Sequence, residues 1–549
     1  MNTAGIIDLV PWAVRQQWKD EGIYPNKPAF ELFREQVAAH PDQAAVISPD
    51  ERMTYRELYQ AALRLARGFR DAGVVPGDVI ACQLPNHWAC CAIDLAAAAL
   101  GAVVAPFPAG RDRLDIQSLL RRCNARVIVA PEVYNEVDVC AIIESLRPSL
   151  LSLRLLVVQG APRAGWQTLD RLLAAEPLSE AELPSVCPDS PVRLLVSSGT
   201  ESEPKLVAYS HNALVGGRGR FLQRLQAEGE TFVGFYMVPL GSAFGSTATV
   251  GVLCWLGGTV VIMPKFSVSR AVRIIERDKP NYLLGVPTMM QRIAAEPALQ
   301  QVDRSGLRAL ICGGAVIDRA TVQRCTGAFG CSFINLYGSA DGVNCHTLPD
   351  DDIEAILTTA GKPNPSVCEI RIADDEGQAL PQGEIGEVLA RGPLSPMQYV
   401  NAPDLDARYR TPEGWVKTGD LGMIDAKGYL VLKGRKKDII IRGGVNISPV
   451  QVEGLVAEHP DVVSVACVPV PDEDMGQRIC LCVTLKEGST RFSLPTIRGF
   501  LQRAGLDAGK LPEYLHFRRQ LPMTPAGKVD KRTLTQDVAA LAVPTLKAG

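Results

Sequence analysis

Between residues 258 and 338, short apolar runs rich in β-branched residues alternate with amphipathic segments of helical periodicity. The apolar runs are GTVVIMP, NYLLGV, LRALICG and CSFINLYG, and the amphipathic segments are SVSRAVRIIERDKP, TMMQRIAAEP and DRATVQRCTGAFG. Because helices are the usual connection between parallel strands, this alternation predicts a parallel α/β layer. The strand-like runs VIACQLP and AVVAPFP, with a helix between them, extend the same interpretation toward the N-terminus.

Beyond residue 380 the pattern changes. The runs GEIGEVLAR and GYLVLKG are typical of antiparallel strands, and the charged stretch GRKKD then interrupts the apolar pattern as an interdomain linker would. Ser448, directly before Pro449, and Ser493, two positions before Pro495, predict the starts of two further helices, with strands between them. We therefore predict a large domain of layered α/β subdomains plus a β-rich subdomain over residues 1–434, a hinge at 435–438 and a small α+β domain over 439–549.

Charge and cysteine usage exclude several classes of protein. The 549 residues include 57 basic and 60 acidic side chains, so no basic excess exists to bind nucleic acid. The 15 cysteines are scattered and contain no C-x-x-C pair, which argues for reduced core residues and a cytoplasmic location. The N-terminus lacks the order of a signal peptide, and charge or glycine interrupts the most hydrophobic runs, so we expect no transmembrane segment. A monomer or homodimer is expected.

The segment SSGTESEPK, from Ser197 to Lys205, directly follows the predicted strand VRLLV. Small side chains let backbone N–H groups approach an anion, hydroxyls add donors and lysine adds charge, so the segment suits phosphate. It does not have the G-x-x-x-x-G-K-[ST] pattern of a Walker A loop. Taken alone, it is equally consistent with a solvated turn.

Four further segments place chemically useful side chains in turns. Tyr337-Gly338-Ser339-Ala340-Asp341 ends a predicted parallel strand, where a ring could stack on a base and a carboxylate could hold a divalent cation. The segments 417–421, 434–438 and 525–528 supply an Asp, an Arg and a Lys, which could bind ribose, phosphate and developing negative charge. In isolation, each of these segments is more commonly an ordinary turn.

Together and in this order, the five motifs resemble the adenylate-forming (ANL) superfamily, in particular its acyl-CoA synthetases and stand-alone aryl-acid-AMP ligases. The resemblance covers about residues 28 to 533, and Arg435 follows Asp420 by 15 positions, the spacing of the family's ribose-binding pair. It implies a large AMP-binding domain and a small, mobile C-terminal domain that rotates at Lys437.

The resemblance also implies a role for each matched position. The phosphate loop would be Ser197, Ser198, Gly199, Thr200, Glu201, Ser202 and Lys205. The nucleotide would contact Gly313, Gly314, Ala315, Tyr337, Gly338, Ser339, Asp420 and Arg435, and Mg²⁺ would bind Asp341. The acyl pocket would include Gly241, Ser242, Ala243, Gly245, Gly313 and Gly314, and the thiol-acceptor face Gly443 and Gly444. Lys528 and Lys205 would be the catalytic lysines.

The implied reaction has two steps. A carboxylate attacks the α-phosphate of MgATP to give an acyl-adenylate and pyrophosphate, and Lys528 offsets the repulsion between the two anions. After domain rotation a thiol takes the acyl group and AMP leaves. The segment RGGVNISPVQVE favours coenzyme A as the acceptor, while a carrier-protein phosphopantetheine and a non-thiol acceptor such as an amine stay open.

The sequence departs from the family at informative positions. Glu201 and Ser202 replace the commoner Thr-Gly of the phosphate loop, and Asp341 stands where Glu is usual. Gly241 and Ala243 are expected to leave space in the acyl pocket, and Ala243 replaces the Asn of dihydroxybenzoate-activating enzymes. The pocket motif carries no acidic residue to pair with a substrate ammonium, which argues against amino acids.

Functions of other classes receive less support. A serine hydrolase would need G-x-S-x-G and a dinucleotide oxidoreductase would need G-x-G-x-x-G, and neither pattern occurs. A luciferase-like oxygenase, which would consume oxygen, and a non-catalytic ATP-binding relative, which would release no pyrophosphate, remain open.

Overall fold

The computed structural model describes residues 5–197, 204–315, 317–443, 445–472, 474–489, 492–523 and 529–539. The strands are, in chain order, β1 (Ala44–Ile47), β2 (Arg52–Thr54), β3 (Val79–Cys82), β4 (Val103–Pro106), β5 (Val127–Pro131), β6 (Val133–Tyr134), β7 (Val137–Asp138), β8 (Leu155–Gln159), β9 (Gln167–Thr168), β10 (Pro191–Ser197), β11 (Lys205–Ser210), β12 (Val233–Tyr236), β13 (Thr259–Ile262), β14 (Tyr282–Gly285), β15 (Ala309–Gly313), β16 (Ser332–Gly338), β17 (Asn344–His346), β18 (Glu369–Ala373), β19 (Gly386–Arg391), β20 (Gln398–Tyr399), β21 (Val416–Ile424), β22 (Leu430–Arg435), β23 (Ile440–Arg442), β24 (Val445–Ile447), β25 (Val462–Asp472), β26 (Gly476–Leu485) and β27 (Tyr514–Phe517).

The α-helices are α1 (Trp12–Asp20), α2 (Ala29–Ala39), α3 (Tyr55–Asp71), α4 (Trp88–Leu100), α5 (Arg113–Arg122), α6 (Val139–Leu146), α7 (Leu169–Leu173), α8 (His211–Leu225), α9 (Val268–Asp278), α10 (Pro287–Ala294), α11 (Arg319–Phe329), α12 (Ile353–Thr358), α13 (Pro403–Tyr409), α14 (Pro449–Ala457), α15 (Leu494–Arg503) and α16 (Lys531–Val538). A π-helix spans Ala248–Leu256, and short 3₁₀ helices span Arg147–Ser149, Glu180–Glu182, Pro297–Gln301 and Ala508–Lys510. None of these described helices is long and apolar enough to cross a membrane.

Two eight-stranded sheets are formed by strands that lie between residues 44 and 399. The first has the order β20-β11-β10-β4-β3-β5-β8-β9, in which β10 through β9 are parallel, β11 is antiparallel to β10, and β20 is antiparallel to β11. The second has the order β17-β16-β15-β14-β12-β13-β1-β2, in which β16 through β1 are parallel and the two edge strands are antiparallel. The predicted alternation of parallel strands and helices from residue 258 is therefore confirmed.

Helices α2, α3, α4 and α8 and the π-helix pack with residues of both sheets in one hydrophobic core. The sequence explains α3 locally, because Thr54 and Glu57 form the predicted reciprocal capping box at its start. Its apolar stripe, which includes Leu58 and Phe69, is fully buried. Layers of helix and sheet thus bring the C-terminal ends of parallel strands from both sheets toward common loops.

The remaining chain forms two smaller sheets, as the change of sequence pattern predicts. Strands β18, β19, β21 and β22 make an antiparallel sheet that ends at Arg435. Strands β23 to β27 make a separate five-stranded sheet, packed with α14, α15 and α16, that begins at Ile440. One local detail differs: the Ser448 hydroxyl donates to the carbonyl of Lys433 and does not cap α14. That hydrogen bond ties the start of α14 back to β22.

Candidate functional site

The ends of β10 and β11 carry the first part of the site. Ser197 and Lys205 are register partners across these antiparallel strands, so the segment between them is the connection of a hairpin. Both residues are buried. The predicted phosphate-loop residues inside this connection, namely Ser198, Gly199, Thr200, Glu201 and Ser202, lie outside the described residues.

The ammonium of Lys205 lies near two tyrosine rings that no sequence motif identifies. Its ammonium is 3.9 Å from the ring centroid of Tyr409 and 5.8 Å from that of Tyr399. Strand β20 pairs with β11, which places Tyr399 opposite Val207 and beside the lysine. Cation–π attraction to the two rings stabilises the ammonium group in a buried position. Neither tyrosine belongs to the motif that contains Lys205, because both lie some 200 positions from it in sequence.

Asp341 connects this cluster to the turn after β16. The Tyr399 hydroxyl donates to Asp341 Oδ1 at 2.8 Å, and the Ser197 hydroxyl donates to Oδ2 at 3.3 Å. Burial, followed by the charge of Asp341, raises the pKa of Tyr399, so the tyrosine stays a donor. Ser197 of the predicted phosphate loop and Tyr399, whose ring lies near Lys205, therefore both bond to the carboxylate predicted to bind the metal.

The turn that presents Asp341 is fixed by its own hydrogen bonds. The Asp341 N–H donates to Ser339 Oγ at 3.1 Å, and the Tyr209 hydroxyl donates to the carbonyl of Ala340 at 2.7 Å. The predicted nucleotide residues Gly338 and Ser339 form the start of this turn. These bonds hold the carboxylate at a defined position beyond the C-terminal end of β16.

A second cluster joins the predicted base, ribose and arginine positions. Asp420 and Arg435 are register partners on β21 and β22, and Arg435 Nε lies 3.0 Å from Asp420 Oδ1. The Tyr337 hydroxyl donates to Asp420 Oδ2 at 2.5 Å. Burial, with the Asp420 charge next, raises the pKa of Tyr337 well above its ordinary value. The Arg435 side chain is 40% exposed, so its remaining N–H groups can reach a ligand.

The glycine turn after β15 is required by close packing. Gly313 pairs with Leu336, and a Cβ on Gly313 would lie 2.8 Å from the Leu336 carbonyl oxygen. Gly314 adopts a φ of +87°, in the left-handed region that favours glycine. Gly314 and Ala315 are exposed and follow directly from the strand next to the one that carries Tyr337.

The predicted acyl-pocket segment corrects one expectation. A Cβ on Gly241 would lie 2.9 Å from the carbonyl carbon of Phe107, so the space at Gly241 is filled by backbone and the expectation that it opens the pocket is wrong. Gly245 likewise packs on the carbonyl of Pro239. The Ser242 hydroxyl donates to that carbonyl at 2.7 Å and accepts from the Gly245 N–H, while Ala243 packs against the core.

A buried polar scaffold holds the start of this segment. Arg193 forms an ion pair with Asp94 and donates to the carbonyl of Leu240 at 2.8 Å. Thr249, on the π-helix, donates to the same Asp94 carboxylate at 2.7 Å. Burial raises the pKa of Asp94, and the arginine opposes that rise. In the sequence, the sign of this network is Asp94, the single charged residue inside the apolar run 89–108.

The hinge and acceptor positions lie around the break between the two smaller sheets. Lys437 is exposed in the turn between Arg435 and Asp438, whose N–H donates to the Arg435 carbonyl at 3.0 Å. Gly443 has a φ of +54° and its N–H donates to the carbonyl of Met475 at 2.9 Å. Gly444 and Lys528 lie outside the described residues.

Comparison with known proteins gives one consistent result. The model of the family described as AMP-binding enzyme matches residues 33–400, and that of the AMP-binding enzyme C-terminal domain matches residues 451–528. A 2-hydroxy-7-methoxy-5-methyl-1-naphthoate–CoA ligase of Streptomyces carzinostaticus is 32% identical over 96% of both chains. A salicylyl-CoA synthase / salicylate adenylyltransferase of a Streptomyces species is 32% identical over 96% of this chain and 97% of its own. The solved amide bond synthetase McbA from Marinactinospora thermotolerans is 27% identical, with a TM-score of 0.81 and coverage of 93% and 99%.

Proposed function

The chain belongs to the AMP-binding enzyme family, and from that premise we propose how its residues carry out the family's chemistry on a carboxylic acid. It is an AMP-forming ligase: ATP and the acid give an acyl- or aryl-adenylate and pyrophosphate, and a thiol then takes the acyl group. The aryl-acid relatives support an aromatic or similar cyclic acid as the substrate. The site residues below are proposals within that function.

The observation that carries the assignment is the meeting of two clusters at one strand end. Tyr337, near the end of β16, and Asp341, in the turn that follows, lie four positions apart, and each is bonded to a different group of side chains. Tyr337 joins the ribose pair Asp420 and Arg435, whereas Asp341 joins Ser197 and Tyr399, whose ring lies near Lys205. A nucleotide laid across this turn would place its ribose at one cluster and its phosphates at the other.

In the first half-reaction the chain's residues position two anions against each other. We assign Asp420 to accept hydrogen bonds from ribose hydroxyls, and Lys205 to face the phosphates with a charge that its two ring neighbours hold in place. Lys528 would reach the α-phosphate and the attacking carboxylate, where it stabilises the negative charge that develops in the transition state. No proton transfer is needed, because the nucleophile is already a carboxylate.

The residues around Asp341 fit a magnesium ion bound together with ATP. Mg²⁺ is commonly held by one or two carboxylates plus substrate phosphates, and Asp341 offers one carboxylate at the predicted phosphate end of the nucleotide. No group of three or more metal-ligating side chains occurs in the described part of the chain, which suits an ion that arrives with its nucleotide. When bound, the ion would neutralise phosphate charge.

The second half-reaction requires a different face of the small domain. We propose residues 435–438 as the hinge, with Lys437 at its centre, because the two smaller sheets end and begin on either side of this turn. Rotation there would withdraw Lys528 and bring Gly443 and Gly444 toward the adenylate. Glycines at this position would leave room for the narrow pantetheine chain.

Coenzyme A is the acceptor we propose, since both relatives described above are named for acyl-CoA formation. An amine is the second candidate, because the solved relative McbA is an amide bond synthetase. A separate carrier protein would present the same phosphopantetheine thiol as coenzyme A and remains the third. All 15 cysteines, each in a described residue, are free, which supports the reducing cytoplasm as the compartment.

The first experiment is carboxylate-dependent ATP–pyrophosphate exchange across aryl, alicyclic, fatty and amino acids with no acceptor present. Exchange with one class is expected and would identify the acid. Coenzyme A, a phosphopantetheinylated carrier protein and simple amines are then added one at a time with that acid, and AMP release is measured. Absence of exchange with every acid, while ATP still binds, would contradict the adenylating function.

A further inference from the structure

Two arginines are buried in the core, and only one of them has a partner for its charge among the described residues. In the described part of the chain, Arg193 and Arg218 are the only buried arginines, at 2% and 5% exposure. Arg193 is paired with Asp94 and with a backbone carbonyl, as described above. Arg218 makes no hydrogen bond or ion pair with any described residue, and its Nε and Nη2 atoms are both buried without a partner.

An unpaired guanidinium in this position is costly to the free protein. Arginine stays protonated in proteins, and a buried charge without a counter-anion loses its hydration with no compensation. Burial lowers the pKa of Arg218, and the neighbouring charge of Arg193 lowers it further, while Tyr209 and Tyr236 oppose this shift. A buried charge that destabilises the protein when no ligand is bound is typical of a ligand-binding site.

The surroundings of Arg218 connect it to the loops of the active site. The Tyr209 hydroxyl donates to the carbonyl of Ala340, which directly precedes the predicted metal ligand. The Tyr236 hydroxyl is 2.8 Å from Thr247 Oγ1, two residues beyond the predicted acyl-pocket segment. The guanidinium therefore lies near two tyrosines, one bonded to the turn that carries Asp341 and the other to the residues just after the acyl-pocket segment.

Helix α8 fixes Arg218 in this place. A Cβ on Gly217 would lie 2.7 Å from the side chain of Leu394, and a Cβ on Gly219 would lie 2.3 Å from the ring of Trp255. The helix is thus packed closely on both sides of the arginine. The carbonyl of Arg218 also packs against Gly251 of the π-helix that follows the pocket segment. Such packing keeps the guanidinium from swinging out to solvent.

We propose that Arg218 binds a second anionic oxygen group of the acid substrate, so that this chain activates acids carrying a further carboxylate beside the one that is adenylated. The inference rests on the proposed adenylating function and adds the substrate class. A carboxylate matches the planar fork of a guanidinium, and the pair would form in an environment where water competes weakly. The adenylated carboxylate cannot be this partner, since it must meet the phosphates at the other cluster.

The test compares matched acids on one scaffold in ATP–pyrophosphate exchange. Benzoate is compared with its three dicarboxylate isomers, cyclohexanecarboxylate with its dicarboxylates, and hexanoate with adipate. The enzymes are the wild type, Arg218→Met, Arg218→Lys and a control, Arg220→Met. Arg220 lies on the same helix but donates to the carbonyls of Gly22 and Ile23, away from the site. Thermal unfolding with each acid alone gives a second readout that does not depend on activity.

The wild type and the Arg220→Met control should prefer a diacid over its monoacid by about 30- to 100-fold in kcat/KM, the loss expected when a buried charge-assisted hydrogen bond is not made. Arg218→Met should remove or reverse that preference, lose the thermal shift given by diacids, and unfold at no lower temperature than the wild type. Arg218→Lys should retain part of the preference for diacids. It takes the place of Arg218→Met in the test if the methionine variant does not fold.

Equal diacid preference in the wild type and in Arg218→Met would overturn the inference, as would exchange that favours monoacids in the wild type. A methionine variant that unfolds earlier with its preference intact would show a purely structural role. These results would leave the adenylating function standing. Absence of exchange with every acid would overturn the proposed function, and the inference would fall with it.

Discussion

Asp420→Asn separates the proposed ribose contact from a purely structural role. The carboxylate is 8% exposed and is held by the Tyr337 hydroxyl at 2.5 Å and by Arg435 Nε at 3.0 Å. Asparagine keeps the shape and one acceptor oxygen, but it loses the charge and places an NH₂ group where donors already converge. If a ribose hydroxyl donates to this carboxylate, the variant loses one charge-assisted hydrogen bond.

The expected size of the effect follows from that geometry. A hydrogen bond to a charged group contributes about 1.5–3 kcal/mol, which corresponds to a 10- to 100-fold rise in the KM for ATP. The lost ion pair with Arg435 adds little, because that side chain is 40% exposed and water can solvate it. The KM for the acid should stay unchanged, since the acyl pocket lies on other segments.

Deoxynucleotides make the assay decisive. In ATP–pyrophosphate exchange, the wild type should lose about 10- to 100-fold in kcat/KM with 2′-deoxy-ATP or 3′-deoxy-ATP, whichever lacks the bonded hydroxyl. Asp420→Asn should lose little more with the same analogue, because the contact is already gone. Asp438→Asn makes the same change of charge beside Arg435 and should behave as the wild type. If the deoxynucleotide reduced kcat/KM as much in Asp420→Asn as in the wild type, so that the two losses added, the ribose assignment would be refuted.

Four further predictions test other parts of the site. Lys528→Ala should slow adenylate formation by about 10²-fold or more but spare thioester formation from supplied acyl-adenylate; equal losses in both would remove its assigned role. Lys437→Pro should restrict the hinge and alter at least one half-reaction, and unchanged rates for both would exclude it. Tyr399→Phe removes the hydrogen bond to Asp341, so half-maximal exchange should need about tenfold more Mg²⁺, and an unchanged Mg²⁺ titration would contradict this. Burial lowers the pKa of His211 to about 3, so the folded imidazole stays neutral while the unfolded one binds a proton below about pH 6.5. Stability should therefore fall as the pH drops from 6.5 toward 3, by about 2 kcal/mol at pH 5, and His211→Gln should lose less between pH 7 and 5 in urea unfolding; equal losses would contradict the assignment.

The sequence predicts those features whose physical cause is local. Alternating strand and helix patterns define the parallel layers, and the capping box at Thr54 defines one helix start, because both depend on neighbours a few positions apart. The 15-position spacing of the family's ribose-binding pair predicted that Asp420 and Arg435 act together. The structure places them as register partners. What these features share is a signal contained within a short stretch of chain.

The missed features depend on contacts between distant segments. Tyr399 reaches Asp341 only because β20 pairs with the edge of the first sheet, and nothing around Tyr399 in sequence indicates that pairing. Gly241 was misinterpreted for the same reason, since the backbone of Phe107 occupies the space that a missing side chain suggests. Buried Arg218 gives no periodic signal, because one charged residue between glycines on a helix is as easily explained by exposure to solvent.

The position of the proposed hinge has a consequence for how one nucleotide site serves two reactions. Arg435 is the last residue of β22, and the N–H of the next residue, Lys436, donates to the carbonyl of Gly419, beside Asp420. A rotation centred on Lys437 therefore leaves the ribose pair on the large domain, bonded as before, while everything beyond the hinge moves. In the proposed mechanism the same rotation would remove Lys528, whose charge would be needed only while pyrophosphate leaves. Under this proposal the adenylate would stay bound through its AMP portion while the small domain exchanges the proposed catalytic lysine for the proposed acceptor face.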